Sequence, residues 1–374
     1  MGPYAHITGW GTSIPEKILT NDELARQIDT TDEWIRERTG IRERRIAGQE
    51  ETTASLATDA ALKALEVANL QPEDLDLIIV STSSPEYVFP ATACLVQDRI
   101  GASKAGAFDL MAACTGFIYA LNIGAHTIKC GAAKNVLVIG AETLSRFTNW
   151  KDRGTCILFG DGAGAFVLQA GDEPGGVLSS VLRSDGSGEN LLFVPAGGSF
   201  MPASEETVKE EKHYIQMNGR EVFRFATKVM VQATREAVES AQLKLEDIDL
   251  IIPHQANRRI IEAAARGLDM PLDRFIINVE HYGNTSTASI PIATCEAIEQ
   301  GRLKTGDQLV FVGFGAGLTW GASVVQWSGP ILPKPRIHRP PFSYRLWAKI
   351  RSWLLRLVRH MEGILWGRNF PNGW

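Results

Sequence analysis

The chain has 374 residues and a net charge of −5, with 44% hydrophobic and 22% charged residues. These proportions belong to a globular protein of two domains or one duplicated one, and they exclude a disordered, collagen-like or disulfide-stapled chain. The five cysteines (Cys94, Cys114, Cys130, Cys156 and Cys295) form no CxxC pair and no close Cys/His pairing, which predicts reduced thiols and no metal site. The N-terminal MGPYAHITGW lacks the basic and apolar regions of a secretory signal, and no apolar run reaches the roughly 18 residues of a membrane span. A cytoplasmic protein is expected.

Along the chain, the first informative feature is a repeat. Residues 64–80, ALEVANLQPEDLDLIIV, align without gaps on residues 237–253, AVESAQLKLEDIDLIIP. Each copy reads as an amphipathic helix, an acidic turn and a buried strand. A second echo pairs GAFVLQ at 164–169 with GASVVQ at 321–326. The pattern predicts two similar α/β halves, residues 1–172 and 173–328, each built on a mostly parallel sheet. A weaker echo relates residues 107–131 to 275–301, a strand, a small-residue turn and a helix ending at Gly131 or Gly301. Counting back from those glycines sets Cys114 against Asn284, both at strand-to-helix turns. His254 directly follows the strand of the second repeat. Open α/β sheets place their ligands at such strand ends.

Cys114, in AACTG, is a candidate nucleophile. The dipole of a following helix favours its thiolate, and surroundings of that kind lower a cysteine pKa to about 3.5–7.5. The competing reading is a buried structural thiol, which is assigned to the other four cysteines. His254, in PHQAN, suits hydrogen-bond donation to an oxyanion, or is a structural histidine. Asn284, in GNTS, is a second donor or a helix cap. Together they admit thiol hydrolysis, with His as base, or acyl transfer to Cys followed by carbanion attack, with His and Asn both donating to one enolate oxygen. The duplication favours the second. FGDGAGA (159–165) and GFGAGLTWG (313–321) lack the signature of a nucleotide loop and read as close packing. The second of them is also positioned to offer a backbone N–H beside Cys114.

Over residues 5–327 the chain resembles beta-ketoacyl-acyl carrier protein synthase III of the thiolase superfamily. The motifs are DTTDEWIRERTGIRERR (29–45), AACTGF (112–117), DRGT (152–155), FGDGAG (159–164), PHQANRR (253–259), GNTS (283–286) and FGAGLTWG (314–321). The resemblance implies a duplicated, five-layered αβαβα fold, a homodimer, and the condensation that initiates type II fatty acid synthesis. In that reaction an acyl-CoA, acetyl-CoA for example, acylates Cys114. Malonyl-acyl carrier protein then loses CO₂, with His254 and Asn284 stabilising the enolate. No cofactor is implied, since acyl-CoA is a substrate. By the same resemblance Thr30, Trp34, Arg38 and Arg153 hold the CoA nucleotide, and Gly219, Phe223 and Asn257 line the pantetheine channel. Arg258 and Arg259 meet the carrier protein, Phe89 reaches the partner subunit's acyl pocket, and the backbone N–H groups of Cys114 and Ala316 form the oxyanion hole. FGAGL departs at Ala316 from the commoner GGG run. The rival readings are a related ketide-forming acyltransferase of specialised metabolism, a Cys-His-Asn hydrolase, and an inactive scaffold that recruits carrier protein.

Residues 329–374 lie outside the resemblance. Residues 331–374 carry nine Lys and Arg against one acid, Glu362, a charge of +8, whereas the remaining 29 basic and 42 acidic residues sum to −13. PKPRIHRPP (333–341) reads as an extended linker. From 342 to 366 the period becomes helical, with Leu346, Ile350, Trp353, Leu357, Met361 and Ile364 in one stripe and Arg345, Lys349, Arg356 and Arg359 opposite. Such a helix suits an anionic membrane surface, the acidic body of the protein itself, or an acidic carrier protein.

Overall fold

The computed structural model describes residues 3–329 and 341–369, the side chains of 341–343 and 363–369 excepted. The predicted linker therefore lies, up to residue 340, outside the described residues, as does the side chain of Ile364. The strands of the two main sheets are β1 (Tyr4–Ser13), β2 (Leu77–Ser81), β3 (Gly106–Leu110), β4 (Asn135–Thr143), β5 (Asp161–Gly171), β6 (Gly176–Ser184), β7 (Leu250–Pro253), β8 (Gln308–Gly315) and β9 (Thr319–Gln326). The helices that matter here are α1 (Asp32–Thr39), α2 (Thr53–Ala68), α3 (Thr92–Ile100), α4 (Gly116–Lys129), α5 (Gly219–Ser240), α6 (Arg258–Leu268), α7 (Ser289–Glu299) and α8 (Pro341–Asn369).

The duplication is written into the strand order. The first sheet runs β1-β5-β4-β2-β3 and the second β6-β9-β8-β7. β7 is followed by a single parallel bridge from Ile251 to Phe275, in the place that β3 holds in the first sheet. In both sheets the first two pairings are antiparallel and the later ones parallel. The sheets are thus mixed rather than mostly parallel. The connections explain this, because the link from β8 to β9 is only the three residues 316–318, too short for a crossover.

The aligned repeat has a local physical cause. Its matched residues Asn69 and Gln242 both take left-handed backbone (φ 53° and 59°) where a helix ends. Asp74 and Asp247 then accept from the N–H of Gln71 and Lys244, closing a short turn. Asp76 accepts from the N–H groups of Lys134 and Asn135, and Asp249 from that of Gln308. Each aspartate thereby pins the start of the neighbouring strand, β4 or β8.

Five layers result. α2 and α3 cover the outer face of the first sheet, α5 and α6 that of the second, and α4 and α7 lie between the sheets. The middle layer is closed by Phe117 of α4, Phe166 of β5 and Phe311 of β8, all fully buried, with ring centroids 5.1 and 6.0 Å apart. Such aromatic pairs add about 0.5–1.5 kcal/mol each beyond the area they bury. This packing fixes the starts of α4 and α7 against each other, between the strand ends of both sheets.

Candidate active site

Cys114 sits in a tight turn, Ala113–Thr115, that runs directly into α4. Ala113 is left-handed (φ 46°), which turns the chain sharply from β3 into the helix. The second half repeats the turn at Ser286–Ala288, with Ser286 left-handed (φ 48°) ahead of α7. By backbone position the partner of Cys114 is therefore Thr287, and Asn284 lies three residues earlier. The glycine count misplaces this register because α4 has 14 residues and α7 has 11.

The end of β8 lies against the nucleophile's backbone. A Cβ on Gly315 would stand 2.7 Å from the Cys114 nitrogen, so only glycine admits this approach. Thr319 ties the following loop down by donating to the carbonyls of Ala112 and Ala316, at 3.0 and 3.1 Å. Ala316 is thereby held near the Cys114 turn. The other glycine stretch, around Gly160 and Gly164, packs backbone against Tyr282 and Pro291.

His254, just beyond β7, is buried, and its backbone N–H donates to Val312 at 2.8 Å. Its Nδ1 is 2.7 Å from Ser289 Oγ, which also accepts from the Gln255 N–H at 3.3 Å. A Ser289 hydroxyl that donates to Nδ1 leaves the imidazole's own proton on Nε2. Nε2 is buried and has no partner among the described residues. Burial lowers the His254 pKa to about 3, so the ring is neutral. Asn284 Oδ1 accepts from the Ser286 N–H at 2.8 Å. The bond caps the turn and leaves the amide nitrogen as the free donor, so capping and donation are compatible roles.

Cys114, His254 and Asn284 line one cavity of about 80 Å³, together with Gly219, Phe223, Asn257 and Gly315. The thiol differs from its expected state. Burial raises the Cys114 pKa to about 12, a hydrogen bond from Ser286 opposes the rise, and the nearby Glu142 adds to it. Desolvation is the largest cause and favours the protonated thiol.

Two family models match the chain, 3-oxoacyl-[acyl-carrier-protein (ACP)] synthase III over residues 108–186 and 3-oxoacyl-[acyl-carrier-protein (ACP)] synthase III C terminal over 238–327. Among curated relatives, the beta-ketoacyl-[acyl-carrier-protein] synthase III of Caldanaerobacter subterraneus subsp. tengcongensis is 56% identical over 324 residues, 87% of this chain and 98% of its own. That of Roseiflexus sp. (strain RS-1) is 51% identical over 328 residues, 88% of this chain and 100% of its own. The chain belongs to the beta-ketoacyl-acyl carrier protein synthase III family. Its fold is likewise that of the 3-oxoacyl-[acyl-carrier-protein] synthase III of Aquifex aeolicus VF5, with a TM-score of 0.80 and 49% identity over 86% of this chain and 100% of that one. The synthase is a thiolase-like condensing acyltransferase.

In the synthase, Arg38 and Arg153 lie 4.7 and 4.8 Å from the Trp34 ring centroid. Arg153 also donates to the Asp29 carbonyl at 3.1 Å. Its DRGT turn is held by Asp152, which accepts from Gly154 N–H and Thr155 Oγ1. The Thr30 hydroxyl is buried without a partner among the described residues. Asn257 caps α6 through the Arg259 N–H and donates to the Arg38 carbonyl at 3.0 Å, tying the cavity wall to the arginine cluster. Arg258, expected to meet the carrier protein, is partly exposed. Its guanidinium pairs with Glu262 at 3.0 Å and Glu280 at 3.2 Å, which neutralises it locally. Arg259 is exposed and lies over Phe223, 5.4 Å from the ring centroid. Phe89 is 84% exposed beside Val88 and Tyr87, remote in sequence from Cys114.

Two buried neighbours of the site escape sequence reasoning. Ser289 orients His254, as described. Glu142 is fully buried and accepts from Ser83 N–H at 3.1 Å, from Ser84 Oγ at 2.5 Å and from Thr82 Oγ1 at 3.3 Å. Burial raises its pKa to about 7. An acid inside the apolar run NVLVIGAET was the available signal.

Proposed function

We propose that the synthase transfers an acyl group from acyl-CoA to Cys114 and condenses it with malonyl-acyl carrier protein. The Cys114 sulfur attacks the thioester carbonyl. The oxyanion is met by the backbone N–H groups of Cys114 and Ala316, and the thiol proton leaves with the CoA sulfur. Malonyl-carrier then enters the same cavity and loses CO₂. The electron pair released passes onto the thioester oxygen, where the Nε2–H of His254 and the amide N–H of Asn284 receive it. Each such donor is worth about 2.7–4 kcal/mol. The enolate carbon attacks the acyl-Cys carbonyl, giving 3-oxoacyl-carrier and returning the thiolate, which takes up a proton. Acetyl-CoA is the proposed primer.

The observation that carries this reading is the buried, unpartnered Nε2 of a neutral imidazole in the cavity that Cys114 and Asn284 also line. A hydrolase would need that histidine as a base, a role that burial opposes. For the nucleotide end, Trp34 and Arg153 sandwich the adenine, Arg38 and Thr30 hold the rest of the nucleotide, and Gly219, Phe223 and Asn257 guide the pantetheine. Arg259 meets the acidic carrier. A homodimer is proposed on the exposed edge strand β3 and on the exposed Phe89, which would enter a partner's acyl pocket. These substrates place the reaction in the cytoplasm.

Purified protein given acetyl-CoA alone should gain one acetyl group, located on Cys114 by mass spectrometry. Adding malonyl-acyl carrier protein should then yield acetoacetyl-carrier and CO₂. Release of free acetate without condensation would refute the reading.

A further inference from the structure

The family models end at residue 327, yet a long helix follows at Pro341–Asn369. This helix, α8, meets the body along one side only. Ala348 is buried, the Tyr344 hydroxyl donates to Gln71, and Arg345 and Arg351 pair with Asp59 and Asp98. At about 100° per residue, Tyr344, Ala348 and Arg351 share one face. The apolar stripe points elsewhere. Leu346, Ile350, Trp353, Leu357 and Met361 fall roughly opposite and are 39–62% exposed. A helix of a globular domain normally turns such a stripe to the core. Here Ala348, Tyr344 and two ion pairs meet the body, Ile350 borders the cleft beside them, and the rest of the stripe faces solvent. On the flank between the stripe and the body-facing side, rather than opposite the stripe, Lys349, Arg356 and Arg359 are exposed and form no ion pair among the described residues.

We propose that α8 seats the synthase on an anionic lipid surface, with its stripe in the acyl boundary and Lys349, Arg356 and Arg359 among the phosphates. Apolar side chains including tryptophan, flanked by unpaired cations, are what such an interface accepts. Charge distinguishes this occupant from the alternatives. The −13 body is repelled by an anionic surface, so approach through the +8 tail is the one favoured orientation. Pairing two such tails in a second copy would bring like charges together. An acidic protein would satisfy the cations and leave the stripe uncovered. No helix among the described residues is long and apolar enough to cross a membrane, so the contact is peripheral. It is independent of the condensing reading, since none of these residues lines the cavity.

The test is co-sedimentation of the full-length protein with vesicles of phosphatidylglycerol and phosphatidylcholine, against phosphatidylcholine alone. Binding is expected to the anionic vesicles only and to weaken with salt. The double variant Trp353→Glu/Leu357→Glu should abolish it, and Arg356→Gln/Arg359→Gln should weaken it roughly tenfold or more. Condensation in vesicle-free buffer, run on the same samples, should match wild type and shows that the variants are folded. If condensation fails in every sample while vesicle binding holds, only the catalytic reading falls. The lipid proposal is overturned by absent binding to the anionic vesicles, or by equal binding of the Trp353/Leu357 variant. It is equally overturned by self-association, or by capture of acyl carrier protein, that depends on the stripe when vesicles are not bound.

Discussion

The two halves open their central helices with the same turn and use it differently. In the first half the residue after the left-handed position is Cys114, the proposed nucleophile. In the second half that residue is Thr287, whose hydroxyl only reaches across to Ser81 at 2.9 Å. The chemistry of the second half lies around the turn, in Asn284 before it and in His254 held by Ser289 at the helix start. A duplicated scaffold therefore delivers two helix ends to one cavity, and the halves then diverge. In the proposed reaction one presents an atom that forms a bond, and the other presents donors held by their neighbours.

The largest effect should come from the atom itself. Cys114→Ala should eliminate both the acyl adduct in intact-mass spectra and all condensation. Thr287→Val, at the matched backbone position, should keep the adduct and cost only the Ser81 hydrogen bond, about 1–3 kcal/mol in denaturant unfolding. Loss of the adduct in a folded Thr287→Val protein would show that the two turns are not functionally divided. Next in size are the donors. His254→Ala and Asn284→Ala should each lower malonyl-carrier decarboxylation about 10²–10³-fold, while acetylation of Cys114 continues. The readout is labelled CO₂ release compared with adduct formation. If acetylation alone falls, the division between halves is wrong.

The same contrast explains what could be read from the sequence. Cys114, His254 and Asn284 each stand in a short motif at a strand end, and the repeat at 64–80 and 237–253 exposes the duplication. The stripe of α8 is equally visible, because helical period needs no tertiary knowledge. The partners were hidden. Glu142 meets Thr82, Ser83 and Ser84 from another strand end, 58–60 residues away. Ser289 meets His254 across 35 residues. The desolvation that raises the Cys114 pKa also depends on packing, which no local motif shows. Arg258 shows the same limit, because nothing adjacent in PHQANRR announces Glu280.

Smaller than removal of a donor is loss of its support. Ser289→Ala frees His254 Nδ1, and the imidazole then divides between two tautomers and orientations. Decarboxylation should fall about tenfold. The loss should appear in kcat, with KM for malonyl-carrier and the rate of Cys114 acetylation unchanged. A general structural defect would move all three together.

The finest test of the comparison is acid–base linkage, because each half buries one titratable group near the nucleophile and the two shift in opposite directions. Burial raises Glu142 of the first half from 4.5 to about 7, so between those values the native protein holds a proton that the unfolded chain has lost. Its contribution to stability is present at low pH and fades as pH rises through that window. Burial lowers His254 of the second half from 6.5 to about 3, so the unfolded chain holds the extra proton there. Its contribution is present at neutral pH and fades as pH falls through that window. Between pH 4.5 and 6.5 the two slopes oppose. Glu142→Gln should therefore leave the His254 slope uncompensated. Measured by urea unfolding, the variant should gain stability relative to wild type as pH rises from 4.5 to 7, by on the order of 3 kcal/mol, with decarboxylation nearly unchanged. His254→Gln should show the reverse, gaining on wild type as pH falls below 6.5. Parallel pH curves for both variants and wild type would mean that neither group is shifted as its burial requires.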